Sequence, residues 1–199
     1  PTLDEAYLFL FGKGDERKIY EKLGAQLRVI DSVHGTSFAV WAPNAQRVSV
    51  VGDFNHWDGR FHPLRLLGAS GVWEIFIPGV GPGAHYKFEI RDAHGRIKLN
   101  TDPFGFFFEV APKQAAIVWD TKKFKWTDAA WLKQRRERDA LRSPMSVYEV
   151  HLGSWQKKTA TESWSYRELA KPLVEYVTRL GFTHIEFMPV AEHAFYPSC

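Results

Sequence analysis

The chain has 199 residues, 45% of them apolar, with 26 basic against 23 acidic side chains and a formal charge of +3. That size and apolar share suffice for one large or two small domains with an ordinary core, and the near balance of charge argues against a dedicated polyanion binder. No apolar run approaches the roughly 20 residues needed to cross a bilayer, so no membrane partner is expected; a single cysteine, Cys199, excludes an internal disulfide framework and a cysteine-based metal site.

The first residues, PTLDEAYLFLFGKGDERKIYEKLG, lack a basic segment leading into an apolar core and a small-residue cleavage site, so no secretory signal is read and the cytoplasm is the expected compartment. Residues 1–30 mix a short helical stretch with an extended one and are expected to form a cap or to cover a sheet edge. From Thr36 to about Val118 the apolar pattern has period 2. SFAVW, RVSVV, VWEIFI and HYKFEIR alternate as half-buried strands do, separated by APNAQ, GDFNHWDG, PGVGPGA and DAHGR. In HYKFEIR this places Tyr86, Phe88 and Ile90 on a core face and His85, Lys87, Glu89 and Arg91 on the other. Residues 31–119 are therefore predicted to be a β-sandwich, with Trp41 and Trp73 in its core or at an interface.

Residues 120–143 read as a helical connector that Pro144 closes off. Its basic run, Lys133 to Arg142, is interrupted by Glu137 and Asp139 and reads as a solvated helix face, so no nucleic-acid partner is expected. MSVYEVHL is a short apolar strand, SYRELAKPLVEYVTRLGF a helix with Leu169, Leu173, Val177 and Leu180 on one face, and THIEFMPV a second strand. Ser165 and Glu168 have capping-box spacing, and Gly181 stands where a left-handed C-terminal residue is expected. Pro172 either kinks this helix or restarts it. Two apolar strands joined by a helix imply a parallel pair in an α/β or β/α-barrel architecture. One such unit leaves apolar faces uncovered, so residues 144–199 are expected to open a larger structure.

FAVWAPNAQRVSVVGDFNHWDGRFHPL, GVWEIFIPGV, YKFEIRDAHGRIKLNTDPF, VYEVHLGSW and FTHIEFMPVAEHAF together resemble the amino-terminal part of the glycogen (1,4-α-glucan) branching enzymes, over about Ile19 to Glu192. The resemblance implies a mainly β chain: an immunoglobulin-like β-sandwich carbohydrate-binding module followed by the first β-α-β unit of a truncated (β/α)8 barrel of the α-amylase type. Val147 to His151 would be barrel strand 1, Tyr166 to Leu180 helix 1 and His184 to Met188 strand 2. It also implies an α-glucan partner such as glycogen, amylose or a maltooligosaccharide, and the remaining barrel of the same enzyme as a second partner. Related readings are a separate glycogen- or starch-binding module, or the first part of a debranching or trehalose-forming enzyme.

Sugar rings present apolar C–H faces, so aromatic planes with polar rims hold them. Trp57, with Asn55, Asp58 and Lys87, has that composition. The glycogen-binding module of the AMP-activated kinase β-subunit is similar in placing a tryptophan and a lysine at the matching positions, with a second stacking tryptophan where this chain has Ile97. The competing expectation is that Trp57 lids the sandwich or wedges between domains. A retaining glucan transferase needs two carboxyl groups roughly 5 to 5.5 Å apart, and the resemblance places them on later barrel strands, so no catalytic residue is expected in this chain. Glu149 and Glu186, inside strands, are poor candidates. His151, Trp155, Glu192 and His193 follow strands 1 and 2 and would line the rim of the complete active site; His151 could equally be structural. No metal or cofactor motif is present, and GVGPG, Gly79 to Gly83, is a strand connection rather than a phosphate loop.

Overall fold

The computed structural model describes residues 2–110 and 112–190, and the chain forms two compact units that divide between Phe124 and Lys125. The first contains helix α1 (Glu5–Lys13) and strands β1 (Gly24–Ile30), β2 (Val33–Trp41), β3 (Arg47–Gly52), β4 (Arg65–Leu66), β5 (Val72–Pro78), β6 (His85–Arg91), β7 (Ile97–Asn100) and β8 (Ala116–Ile117). One sheet has the order β1-β2-β5-β4 and the other β3-β6-β7, with β8 paired to β6. The pairings are antiparallel. Alternation sets the layers: Phe38 and Val40 of β2 and Trp73 of β5 meet Val48 and Val50 of β3 and Tyr86 and Phe88 of β6 in one core. The Phe38 and Tyr86 rings join the sheets edge to face, centroids 5.0 Å apart.

The leading segment is a helix followed by an extended stretch, and of its two expected roles Gly24–Ile30 takes the sheet edge: it is edge strand β1, paired with β2 from Gly24↔Ala39 to Ile30↔Val33. The connecting Asp31 and Ser32 have φ of 49° and 66°, the left-handed pair whose twist suits a two-residue hairpin. That turn is normally marked by Asn-Gly or Asp-Gly, so Asp-Ser conceals it, and the sandwich begins at Gly24 rather than at residue 31. Helix α1 starts on an Asp4 side chain that accepts from the Tyr7 N–H at 2.7 Å. Leu3, Tyr7 and Phe11 then cover the outer face of the first sheet over Ala39, Leu67 and Val72. Trp41 lies on this outer face, 54% exposed, its ring edge-on to Phe11 and its indole N–H donating to the Ser70 carbonyl. On the same face Glu74 is buried and accepts from the Thr2 hydroxyl at 2.7 Å and Arg65 at 2.6 Å. Burial raises its carboxyl, but these bonds prevail and hold it below the usual range.

The second unit contains α2 (Ala129–Glu137), β9 (Val147–Val150), α3 (Leu152–Trp155), α4 (Tyr166–Arg179) and β10 (His184–Phe187). β9 and β10 pair in parallel, Val147↔His184 to Val150↔Phe187, with α4 as the crossover. Leu169, Leu173 and Val177 of α4 are buried, the last two against Val150, whereas Leu180, at the C-cap, is 52% exposed. Both ends of α4 follow the sequence signals. Ser165 and Glu168 form the capping box, and past Leu180 the Gly181 N–H donates to Thr178 and the Phe182 N–H to Val177, a Schellman closure with Gly181 at φ 83°. The helix runs through Pro172 without a break. Among the described residues no helix is long and apolar enough to cross a membrane.

In the sealed core of the sandwich the Tyr86 hydroxyl donates to Asp102 Oδ2 at 2.5 Å, with both residues 1% exposed. Asp102 Oδ1 accepts from the Phe104 N–H at 2.8 Å. Burial raises the Asp102 carboxyl to about 6, although both hydrogen bonds draw it down. A raised folded-state value means that the fold favours the protonated form: this contribution is complete below about pH 4, the ordinary range, and is lost as pH rises through about 6. Asp102→Asn should therefore narrow the difference in urea stability between pH 7.5 and pH 4.5 by about 2–3 kcal/mol relative to the parent chain. Tyr86→Phe, which strands a buried carboxylate oxygen, should cost about 2 kcal/mol or more at pH 7.5.

Candidate functional site

At the end of β3 the chain enters a 3-10 turn, Asp53–Asn55, and His56 and Trp57 follow with φ of 56° and 60°. Two consecutive non-glycine residues in the left-handed region cost about 1–2 kcal/mol each, so surrounding contacts must impose the conformation. Asn55, expected at the rim of a sugar platform, is instead the buried centre of the turn at 3% exposure. Its Oδ1 accepts from the Gly52 N–H at 2.9 Å; its Nδ2 donates to the Val50 carbonyl at 2.9 Å and to His62 Nδ1 at 2.8 Å. Both amide hydrogens are engaged, which leaves Asn55 a positioning part.

The bond from Asn55 makes His62 Nδ1 an acceptor, and burial pushes the His62 imidazole below its ordinary value. Residues 62–64 then run back beside β3, with Val50 N–H donating to the His62 carbonyl and Leu64 N–H to Val48. His62 was not singled out in the sequence. Its only signal is the apolar rhythm resuming in RFHPL after the turn.

Two glycines allow the turn to close. A Cβ on Gly52 would lie 2.2 Å from the His85 carbonyl, and one on Gly59 would lie 2.3 Å from Glu89 Oε1. The returning half of the turn is thus laid over the face from which Glu89 and Lys87 project. Asp53 is fastened to the start of β6, accepting from the His85 N–H at 3.2 Å and pairing with His85 Nδ1 at 2.8 Å. Burial raises the Asp53 carboxyl, but the bonds from His85, with a smaller one from the Trp57 side chain, hold it low. Asp58 is clasped by Arg60, whose Nε and Nη2 donate to it at 2.9 and 2.5 Å; side-chain and backbone bonds from Arg60 bring its carboxyl down to about 2.

Trp57 emerges from this frame 39% exposed. Lys87, opposite Val51 in the register, is half-buried on the outer face of β6. Next to it Glu89 binds Arg47 at 2.5 Å. Ile97, across from Arg91 on β7, and Leu99, across from Glu89, are 50% and 54% exposed on the same face. They are apolar but offer no flat ring.

In the second unit His151 precedes α3 and its Nδ1 lies 2.7 Å from the Ser154 hydroxyl. Trp155 turns inward: its indole N–H donates to the Tyr148 hydroxyl at 2.9 Å, and its ring stands edge-on to Tyr176, 5.5 Å away. Glu149 and Glu186 are direct partners in the parallel register and both are exposed. Glu192 and His193 lie outside the described residues. Among the described residues no cluster of His, Cys, Asp and Glu is placed to hold a metal ion.

Residues 22–105 match the family model described as carbohydrate-binding module 48 (isoamylase N-terminal domain). The chain is 55% identical over 98% of its length to the 1,4-alpha-glucan branching enzyme GlgB of Rubrobacter xylanophilus, of which it covers 27%. It is 52% identical over 94% of its length to the enzyme of that name from Synechococcus sp. (strain JA-2-3B'a(2-13)), again covering 27%. The chain thus spans about a quarter of these curated relatives. Among solved structures, apo pullulanase from Klebsiella pneumoniae is similar with a TM-score of 0.60 at 24% identity, over 87% of this chain and 20% of that one. A maltotriose complex of PulA from the same organism gives the same figures.

The turn residues contribute to stability in different ways. Asn55→Ala, which leaves several buried partners unmatched, should lower unfolding free energy by about 2 kcal/mol or more. Trp57→Ala should lower it by about 1–3 kcal/mol through lost apolar contact, without stranding a buried hydrogen-bonding network as Asn55→Ala does; chemical denaturation of the two variants measures both.

Proposed function

We propose that this chain, similar at 50–55% identity to the amino-terminal quarter of 1,4-alpha-glucan branching enzymes, is the opening segment of such an enzyme. That similarity carries the reading, and it favours branching over debranching because the pullulanase likeness is one of fold alone. In this reading residues 2–23 cap the sandwich, 24–119 are the glucan-binding module, 120–143 connect, and 144–199 supply the first β-α-β unit of a (β/α)8 barrel. The parallel β9-α4-β10 arrangement supports the last assignment. Glu149 and Glu186, two like charges side by side on an exposed sheet face, agree with it, since a cationic partner from further chain would relieve their repulsion.

The complete protein would cleave an α-1,4 bond, hold the released chain as a covalent glycosyl-enzyme and pass it to a 6-hydroxyl of a glucan such as glycogen or amylose. The two carboxyl groups of a retaining mechanism would come from later barrel strands. His151 and the stretch holding Glu192 and His193 would lie near the rim of that site, with Trp155 beneath it as packing. A chain with one cysteine in 199 residues suits the reducing cytoplasm.

Within the module, Trp57 is the proposed stacking plane and Lys87 the charged rim. Support comes from the strain accepted at His56 and Trp57, since backbone held in sparse conformations is concentrated at ligand sites. With Ile97 in place of a second ring the affinity should be modest. Titrating the chain with maltoheptaose while following tryptophan fluorescence should give saturable binding that Trp57→Ala weakens about tenfold. Absence of any saturable change would leave the module as a spacer for the barrel. In an iodine-staining assay on amylose the 199-residue chain should be inactive, and branching by it alone would refute the placement of the catalytic carboxyls elsewhere.

A further inference from the structure

A second feature of the sandwich lies away from the Trp57 turn and does not depend on its reading. A cavity of about 420 Å³ is lined by residues from β1 and β2, by the Gly79–Pro82 connection and by Lys122. Its charged and titratable side chains, Arg28, His34 and Lys122, are all basic, and among the described residues no carboxylate lines it. Several other cations of this unit are matched: Arg47, Arg60, Arg65, Arg96 and Lys113 each lie within 3.7 Å of a carboxylate. Arg28, His34 and Lys122 make no side-chain ion pair among the described residues.

The Arg28 Nε–H, like that of Arg47, is closed off from water and has no hydrogen-bond partner among the described residues, but Arg47 has a carboxylate on its other guanidinium nitrogen and Arg28 has none. Buried donors are nearly always matched, by protein, water or ion, so an unmatched guanidinium N–H beside a basic cavity marks a place where an acceptor belongs. No atom comes within 4 Å of where a Cβ would stand on Gly79 or Gly81, so the space beside these two lining residues is unfilled.

We propose that this cavity is an oxyanion site that takes a phosphoryl group, with Arg28 and Lys122 supplying charge and His34 an imidazole N–H. Two full positive charges suit a phosphate dianion better than a single carboxylate, arginine matching it as a fork and lysine as a point charge. The volume exceeds that of one phosphate, so a phosphorylated sugar fits as well as inorganic phosphate.

The test is amide chemical-shift titration of the whole chain with sodium phosphate and, separately, with glucose 6-phosphate, at constant ionic strength against a chloride control. Saturable shifts are expected at Gly79, Gly81 and Lys122. Lys122→Gln, on an exposed turn, should weaken binding about fivefold without moving the unfolding midpoint, and Arg28→Gln should weaken it further. Saturation by the ester alone would identify a phosphorylated sugar as the occupant, and saturation by both would show that the phosphoryl group suffices. The proposal is overturned if neither compound gives saturable shifts at these amides up to about 50 mM, or if the Lys122→Gln chain titrates as the parent does.

Discussion

The hydrogen bond between Tyr86 and Asp102 is the constraint around which the first unit is arranged. Tyr86 stands at the middle of the core, edge-on to Phe38 of the opposite sheet and to Phe88 of its own strand, so its ring fixes how the sheets meet. Its hydroxyl reaches a carboxyl group whose two oxygens are both engaged, which is what makes that group tolerable in a sealed core. Asp102 in turn fixes the chain leaving β7 through the Phe104 N–H. That chain passes so close to the start of β1 that a Cβ on Gly24 would lie 2.8 Å from the Phe104 carbonyl. One buried acid thus joins the edge strand, the core and the last segment of the sandwich, at the cost of holding a carboxyl where ionisation is disfavoured.

The Trp57 turn inherits its rigidity from this arrangement. Gly52, the last residue of β3, lies directly across from Tyr86, and the turn departs from that fixed point. The left-handed conformations at His56 and Trp57 are unfavourable in isolation. The Asn55 carboxamide, the Asp53 bond to His85 and the return strand to Leu64 over-determine them. Such a frame puts a large ring into water in a reproducible attitude, which a floppy loop with the same composition would not do.

The second unit has a different character. Its helix is closed at both ends by its own side chains and backbone, and one face of the two-stranded sheet is covered by that helix. The other face carries Glu149 and Glu186 in register, and an apolar groove of about 260 Å³ lies along α4, lined by Leu169, Leu173, Phe187 and Val190. Both are surfaces on which a further layer of structure could pack.

What could be read without coordinates was whatever depends on near neighbours. The alternation in HYKFEIR assigned the core face of β6, and the Ser165, Glu168 and Gly181 signals bounded α4, because strand pleat and helix ends are settled within a few residues. The turn carrying Trp57 was visible as a ring among polar residues. The sequence left undecided the continuity of the helix through Pro172 and the membership of Gly24–Ile30 in the sandwich, and it placed Trp155 and Asn55 at binding surfaces without showing the inward turn of the one or the burial of the other. The last three depend on partners beyond the few residues that set a pleat or a helix end: the β2 edge across an Asp-Ser turn, and the Tyr148 hydroxyl and the His62 ring, each seven residues away. A polar side chain reads the same on paper whether its hydrogen bonds go to water or to buried backbone, and only the assembled sheets determine which partners come within 3 Å.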